Sequence, residues 1–146
     1  MISIATWLVR EITQAAKESY PNECCGLLGG TGNLDGAITI TQARATSNVA
    51  KGLIKNHFEV DPKVHFELIH ELRGTNERVI GHYHSHPNHP ARPSEEDLKM
   101  AFDPNLLWFI ISLDQSRINE MKVYKINELT AAFQEIPLTT FVEDDQ

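Results

Sequence analysis

A chain of 146 residues fits one domain and is long enough to bury a hydrophobic core of its own. Hydrophobic residues make up 41% and charged residues 23% of the sequence, a balance typical of globular proteins, and no apolar run approaches the roughly 20 residues that a membrane-spanning helix needs. The formal net charge of −7 argues against nucleic acid as the main partner, because an acidic domain repels a phosphate backbone.

The N-terminal segment and the cysteines indicate the compartment. Residues 1–17 lack the basic start and the uninterrupted apolar stretch of a secretory signal. Cys24 and Cys25 are adjacent and could bridge each other only in a strained ring, so the sequence has no disulfide framework. Such a chain suits a reducing compartment, and we expect a cytoplasmic protein that does not bind a membrane.

The first part of the chain predicts one helix and two strands. Apolar residues at helical spacing predict a helix over residues 4–19, which Pro21 ends. A short apolar run then predicts a strand over residues 24–28, closed by a glycine turn at 29–30. Residues 37–43 predict the returning strand.

The middle of the chain predicts a second helix between two strands. Residues 57–60 form a short strand candidate. Asp61 followed by Pro62 predicts a helix start, because Asp caps the first N–H groups and Pro suits the first helical position. Gly74 predicts the end of this helix, and residues 79–86 predict a strand.

The last part of the chain begins with an extended loop over residues 87–93, which contain three prolines. Ser94 then begins a short predicted helix. Residues 106–113 are continuously apolar and predict a central strand that is buried on both faces. Two more strands are predicted over residues 118–126 and 131–138.

Together these elements predict an α/β fold, in which helices flank a single mixed β-sheet. The sequence shows no repeat, linker or second domain. We therefore expect one domain over residues 1–140, followed by an acidic tail over residues 141–146 that is frayed in solution.

The segment that carries chemistry, residues 81–97, reads GHYHSHPNHPARPSEED. Residues two apart on a strand share a face, so His84 and His86 point the same way and could converge on one metal ion. A catalytic zinc needs three protein ligands and an open position for water. The proline-rich loop could return the chain so that Asp97 supplies the third ligand. The sequence therefore predicts one Zn²⁺ per chain.

A purely structural interpretation of these residues is also available. The segment from Ser94 to Asp97 resembles a capping box, which begins a helix without any metal, and a His-x-His pair on a strand is common. Asp97 could begin a helix and bind a metal at once, so the two interpretations do not exclude each other.

Several segments together resemble the JAMM, or MPN+, metallopeptidases. Residues 84–87 (HSHP) and 93–97 (PSEED) are similar to the signature of this family, and residues 23–29 (ECCGLLG) resemble its first-strand motif. Residues 48–50 and 57–62 are similar to its compact bacterial members. The resemblance spans roughly residues 1–126.

The resemblance implies a fold and a role for each matching residue. The fold would be a curved, partly barrel-like sheet of cytidine-deaminase-like architecture. His84, His86 and Asp97 would bind zinc. Glu23 would be the general base that takes a proton from the zinc-bound water and passes it to the leaving amine. Ser94 would form a hydrogen bond to the oxygen of the tetrahedral intermediate or to the water.

The resemblance also implies a substrate. Members of the family cut after the C-terminal Gly-Gly of ubiquitin, and compact bacterial members are linked to small ubiquitin-like sulfur carriers of the β-grasp fold. This chain has little room for the insertions that ubiquitin-chain-specific members use. We therefore expect a peptidase or isopeptidase that acts on a ubiquitin-like or sulfur-carrier protein.

Two other functions stay open at this point. One is a non-catalytic MPN-type scaffold, although such relatives usually lack a metal ligand that this sequence retains. The other is a nucleotide hydrolase of the histidine-triad type, because His82 extends the pattern to His-x-His-x-His. Those hydrolases carry bulky apolar residues where this sequence has Ser85 and Pro87, so this interpretation is disfavoured.

The roles of four residues near the predicted site are left open by the sequence. Cys24 and Cys25 are expected to pack in the core, His82 to form a wall beside the metal, and His89 to be exposed or to touch substrate. The sequence also leaves open the identity of the substrate, the choice between a peptide and an isopeptide bond, the oligomeric state and the need for a partner.

Overall fold

The computed structural model describes residues 1–33, 36–47, 60–95, 97, 103–115 and 117–143. In this part of the chain the helices are α1 (Thr6–Ser19) and α2 (Pro62–Leu72). The strands are β1 (Ile2–Ala5), β2 (Cys25–Gly32), β3 (Ile38–Thr46), β4 (Arg78–Pro87), β5 (Leu107–Leu113), β6 (Ile118–Asn127), β7 (Ala132–Ile136) and β8 (Leu138–Phe141). No helix in the described ranges is long and apolar enough to cross a membrane.

The eight strands form one sheet in the order β7-β6-β5-β4-β2-β3-β1-β8. β1 runs parallel to its neighbours β3 and β8, and β4 runs parallel to β5. The other pairs are antiparallel. The sheet is therefore mixed and flanked by helices, which confirms the predicted α/β class.

The two edges of the sheet are joined by a single residue, Pro137. On one side Ile136 ends β7 and pairs with Val123 of β6, and on the other Leu138 begins β8 and pairs with Ile2 of β1. The backbone N–H of Ile2 also donates to the Pro137 carbonyl at 3.3 Å. Strands at opposite edges can be so close in sequence only if the sheet curls on itself. The predicted partly barrel-like shape is confirmed.

The two helices cover opposite faces of the sheet, because adjacent strand residues point to opposite sides. Leu28 lies in the large cluster that includes Leu8 and Ile12 of α1. Its neighbour Leu27 packs instead with Leu68 of α2. Each of these side chains is almost fully buried, and burying such a side chain stabilises the fold by roughly 1.5–3 kcal/mol.

The predicted central strand is confirmed as β5, whose seven residues are all buried. Its Phe109 and Ile111 belong to the cluster under α1, whereas Trp108 and Ile110 face the other side. β5 is parallel to β4, and their register sets Ile110 opposite His84. The apolar strand β5 is therefore the neighbour, in the same sheet, of the strand that carries the candidate ligands.

The prediction of a turn at Gly29 and Gly30 is wrong, because both glycines lie inside β2. A Cβ on Gly30 would overlap the carbonyl oxygen of Thr39, and one on Gly29 would lie 2.8 Å from Cγ of Gln42. These glycines allow β3 to approach closely, and a bulge falls between them. The chain turns only after Gly32, whose φ is +96°.

Two other predicted boundaries are corrected. The helix predicted over residues 4–19 begins at Thr6, because Ile2 and Ile4 are buried in β1 and pair with β3 and β8. The strand predicted over residues 131–138 is two strands, β7 and β8. Pro137 separates them because it has no N–H to donate to a ladder.

The start of α2 is confirmed, since the Asp61 side chain accepts a 3.0 Å hydrogen bond from the backbone N–H of Lys63. Gly74 follows the helix with a φ of +83°.

The predicted strand over residues 57–60 lies outside the described residues except for its last position. The same holds for most of the helix predicted from Ser94 and for the end of the acidic tail.

Candidate metal centre

Two histidines of β4 form the base of the candidate site. His84 and His86 lie two residues apart on the strand and therefore share a face. Their Nε2 atoms are 3.0 Å apart. His84 is fully buried and His86 is 8% exposed. The alternation of the strand thus brings two imidazole nitrogens together.

The register between β2 and β4 brings Glu23 to the same place. Cys25 pairs with His84 in the antiparallel ladder. One step further, the Cys24 N–H donates to Oγ of Ser85 at 2.8 Å and the Ser85 N–H donates to the Cys24 carbonyl at 3.1 Å. This pairing carries Glu23 alongside the second histidine, and one ligand atom from each of Glu23 and the two histidines lies within 4.8 Å of the others.

The carboxylate of Glu23 is buried without a hydrogen-bond partner among the described residues. The residue is 6% exposed, and both of its carboxylate oxygens are inaccessible. Burial raises its pKa from 4.5 to about 8, with Asp97 adding to the rise and His86 opposing it. A buried carboxylate normally has partners, so this one fits a site that is completed by a metal and its water.

Asp97 lies against both histidines. Its Oδ2 is 3.6 Å from Nε2 of His84 and 3.4 Å from Nε2 of His86. The same oxygen accepts the backbone N–H of Ser94 at 2.8 Å, and the Asp97 N–H donates to Oγ of Ser94 at 3.0 Å. Asp97 therefore takes part in a reciprocal cap and still presents a carboxylate oxygen to the histidines.

These distances fit a tetrahedral ion. Bonds of about 2.0–2.1 Å at tetrahedral angles place two ligand atoms about 3.3–3.4 Å apart. The three separations among the two Nε2 atoms and Oδ2 of Asp97 are 3.0, 3.4 and 3.6 Å. One ion could therefore contact all three atoms with small adjustments.

The electrostatics of the cluster favour an ionised Asp97 and a neutral His84, which are the forms that bind a metal, but they favour a protonated His86. Burial raises the pKa of Asp97, but hydrogen bonds with His84 and His86 outweigh it and hold the pKa well below its usual range. Burial lowers the pKa of His84, and Asp97 only partly opposes this. For His86, Asp97 and the carbonyl of Pro90 outweigh burial and raise the pKa.

The carbonyl of Pro90 fixes the tautomer of His86. Nδ1 of His86 lies 2.9 Å from this oxygen. Since a carbonyl can only accept, Nδ1 carries the proton, and the neutral ring presents its Nε2 lone pair to the cluster. Such an outer partner orients a metal ligand and raises its basicity. The sequence does not predict this role, because every residue has a backbone carbonyl and the residue type does not show which one accepts a hydrogen bond.

A cavity of about 440 Å³ opens beside the cluster. It could admit a narrow segment of substrate to the candidate base. Its described lining consists of Glu23, His86, His89, Pro90, Arg92, Pro93 and Ser94. Arg92 is not among the predicted site residues, although its place in the proline-rich loop after the His-x-His motif is a usable signal.

The four residues whose roles were open lie around the cluster. Cys24 is partly buried against the α1 core, and Cys25 lies in the cluster of Trp108. Burial raises the pKa of Cys25 to about 11, which keeps its thiol protonated. The His82 ring packs edge-on against Trp108 with centroids 4.3 Å apart, while His89 is exposed and lines the cavity.

A family model agrees with this fold and site. Residues 6–127 match the model described as prokaryotic homologs of the JAB domain. The chain therefore belongs to the prokaryotic JAB, or JAMM/MPN, domain family, and the resemblance seen in the sequence is confirmed.

Curated relatives include two kinds of enzyme. The chain is 33% identical to a desampylase of Haloferax volcanii over 101 residues, which are 69% of this chain and 70% of the relative. It is 25% identical to the CysO-cysteine peptidase of Mycobacterium tuberculosis over 122 residues, which are 82% of this chain and 78% of the relative. Hydrolases are therefore among its relatives.

Solved structures support the same fold. The solution structure of a protein from Desulfitobacterium hafniense has a TM-score of 0.84 at 31% identity and covers 99% of this chain and 96% of its own. A JAB1/MPN domain protein from Archaeoglobus fulgidus has a TM-score of 0.58 at 23% identity, covering 97% of this chain and 99% of its own, and is similar in fold alone.

Proposed function

We propose that the protein is a zinc-dependent peptidase or isopeptidase that hydrolyses the bond after the C-terminal Gly-Gly of a ubiquitin-like or sulfur-carrier protein. One observation carries the proposal. The buried carboxylate of Glu23, which has no partner among the described residues, lies in a group with two buried histidines, and Oδ2 of Asp97 lies 3.6 and 3.4 Å from Nε2 of the same two histidines.

His84, His86 and Asp97 would hold one zinc ion. This set of two imidazoles and one carboxylate is a usual donor set for catalytic zinc. When bound, zinc would supply the positive charge that lowers the pKa of water to about 7 and polarises a carbonyl group.

Glu23 would be the general base and then the general acid. Its carboxylate accepts a proton from the attacking water as the water oxygen bonds to the carbonyl carbon of the terminal glycine. The C–N bond then breaks, and Glu23 passes the proton to the leaving amine. The second proton of the attacking water also passes to the amine, so the products are the glycine carboxylate and an ammonium group. Burial raises the pKa of Glu23, and a carboxylate whose pKa lies near the operating pH can both take up and release a proton.

Ser94 would stabilise the oxyanion that forms on the carbonyl. Its Oγ already accepts the N–H of Asp97 at 3.0 Å, so its own hydrogen remains available for donation. Ser94 also lines the cavity together with Glu23. Removing one such donor typically costs a factor of about 10²–10³ in rate.

The substrate class rests on the relatives and on the shape of the site. Similar proteins are named a desampylase and a CysO-cysteine peptidase, and the resemblance to the JAMM family implies targets with a Gly-Gly tail. A cavity of about 440 Å³ beside a buried base suits a thin, extended tail better than a folded surface. The negative net charge fits a protein substrate in the cytoplasm better than nucleic acid.

The test incubates the zinc-loaded protein with the host's ubiquitin-like proteins, each carrying extra residues after Gly-Gly. Mass spectrometry should find cleavage after the second glycine, which a chelator abolishes and added zinc restores. Metal analysis should find about one zinc per chain. Intact substrates in every case would reject the proposal, and a protein that neither contains nor takes up zinc would favour a scaffold function.

A further inference from the structure

The cavity beside the candidate metal centre contains a cation that the proposed mechanism does not use. Three of the described lining residues, Glu23, His86 and Ser94, have a role in that mechanism. Arg92 is the one lysine or arginine in the described lining. The protein has a net charge of −7, so a positive charge at this cavity would attract a negatively charged group of a substrate.

The backbone that carries Arg92 is anchored from the sheet. The preceding residue, Ala91, is fully buried. Its carbonyl accepts a 2.6 Å hydrogen bond from the hydroxyl of Tyr124, and its N–H donates to Oε1 of Glu120 at 3.2 Å. Both partners belong to β6, so the position of Arg92 is set by the fold and not by a loose loop.

A single carbonyl also ties Arg92 to a candidate metal ligand. The oxygen of Pro90 accepts the backbone N–H of Arg92 at 2.8 Å and the ring N–H of His86 at 2.9 Å. The origin of the Arg92 side chain is therefore fixed relative to the reacting centre. A side chain can discriminate between substrates only if its backbone is held at a fixed position relative to the reacting centre.

The side chain itself is exposed, and within the described residues no hydrogen bond or ion pair holds its guanidinium. The described structure therefore gives it no stabilising task. A guanidinium binds a carboxylate through two parallel hydrogen bonds, so it distinguishes a carboxylate from a neutral group of the same shape.

We propose that Arg92 binds the α-carboxylate of a leaving group that is a single amino acid. The inference rests on the proposed function and adds to it a residue that determines specificity, for a ubiquitin-like protein whose tail ends one residue after Gly-Gly. In such a substrate the scissile nitrogen and the α-carboxylate are attached to the same carbon atom. The carboxylate therefore stays close to the metal centre, where Arg92 lines the cavity. A lysine side chain in an isopeptide bond offers no carboxylate there.

The experiment compares two forms of one substrate, a ubiquitin-like protein ending in Gly-Gly-Ala with either a free carboxylate or a carboxamide. The wild-type, zinc-loaded enzyme should prefer the acid by about 10- to 100-fold in kcat/KM, the range expected for hydrogen bonds to a charged group. Arg92→Gln should lower kcat/KM for the acid by that factor, mainly through KM, and so remove the preference. Arg92→Lys should retain part of it.

Arg10→Gln is the matched control, because Arg10 is an exposed arginine of α1 and its loss changes the net charge equally. It should keep the preference for the acid. A wild-type enzyme that cleaves both forms equally would overturn the proposal, and so would an Arg92→Gln variant that slows both forms by the same factor.

A binding measurement separates failure of this proposal from failure of the proposed function. The zinc-loaded Glu23→Gln protein should bind the uncleaved acid about 10- to 100-fold more tightly than the carboxamide by calorimetry, and the added Arg92→Gln change should equalise the two. If wild-type protein cleaves neither form, the proposed function fails, and the calorimetric preference still decides the role of Arg92. Equal Kd values for the two forms would refute it.

Discussion

The backbone N–H of Cys24 donates a 2.8 Å hydrogen bond to the hydroxyl of Ser85, which is fully buried. This contact joins the residue after the candidate base to the residue between the two candidate histidine ligands. It extends the ladder of β2 and β4 beyond the Cys25–His84 pair. Ser85 therefore holds the backbone next to Glu23, although its side chain points away from the candidate metal site.

Ser85→Ala should leave the Cys24 N–H without its acceptor and loosen the backbone at Glu23. We expect a loss of about 1–3 kcal/mol in the free energy of unfolding. We also expect kcat to fall while KM and zinc content stay near wild type. Thermal unfolding, metal analysis and steady-state kinetics would measure these. An unchanged kcat in a destabilised protein would assign Ser85 to stability alone.

Glu23→Gln should keep zinc and lose cleavage. The amide fills the same space as the carboxylate but cannot accept and return a proton, so kcat should fall by about 10²–10⁴. Metal analysis and mass spectrometry of the cleavage reaction check the two parts separately. Glu18→Gln, at an exposed position of α1, is the control for the change in charge. Full activity of Glu23→Gln would refute the assignment of the base.

His84→Ala and Asp97→Ala should each lose zinc affinity together with activity. Each change leaves two of the three proposed ligands, and a tetrahedral catalytic site needs three. A competition titration against a chelator would measure the change in zinc Kd, which should exceed the 10- to 100-fold typical of outer partners. His70→Ala, on the exposed face of α2, should bind zinc like wild type. Unchanged zinc binding in both ligand variants would refute the ligand set.

The sequence predicts the histidine pair from local geometry alone, because strand alternation places residues two apart on one face. Local strand geometry does not predict the position of Asp97, because its distance from the histidines depends on the path of a proline-rich loop. Glu23 could not be found locally. It reaches His86 through the β2–β4 register, and register between strands about 60 residues apart is a property of the assembled sheet. The family resemblance supplied that information.

Errors in the predicted fold have related causes. Gly29 and Gly30 look like a turn because glycine is common in turns, yet here they relieve crowding between β2 and β3. A local sequence pattern does not show which strand will pack beside a glycine. The predicted helix includes most of β1, because Ile4 fits both the apolar stripe of a helix and a buried strand. Only its pairing with β3 and β8 decides between them.

Gly81 provides a test of how closely the ligand-bearing strand must pack. It pairs with Leu107 across the parallel β4–β5 ladder. A Cβ at this position would overlap the carbonyl oxygen of Leu107 and lie 2.9 Å from its backbone nitrogen. Backbone atoms of a central strand cannot move aside as a flexible side chain could. Gly81→Ala should therefore cost at least the 1–3 kcal/mol typical of overpacking in a core.

Denaturant unfolding of Gly81→Ala would measure this loss, and Gly36→Ala is the matched control because a Cβ there meets nothing within 4 Å. The control should change the free energy of unfolding by no more than about 0.5–1 kcal/mol, in either direction. Zinc affinity should fall only in Gly81→Ala, since moving β4 away from β5 displaces His84, which faces Ile110 three pairs further along the same ladder. Equal stability of the two variants would mean that the strands separate at little cost, and that the tight spacing of β4 and β5 does not hold the histidines in place.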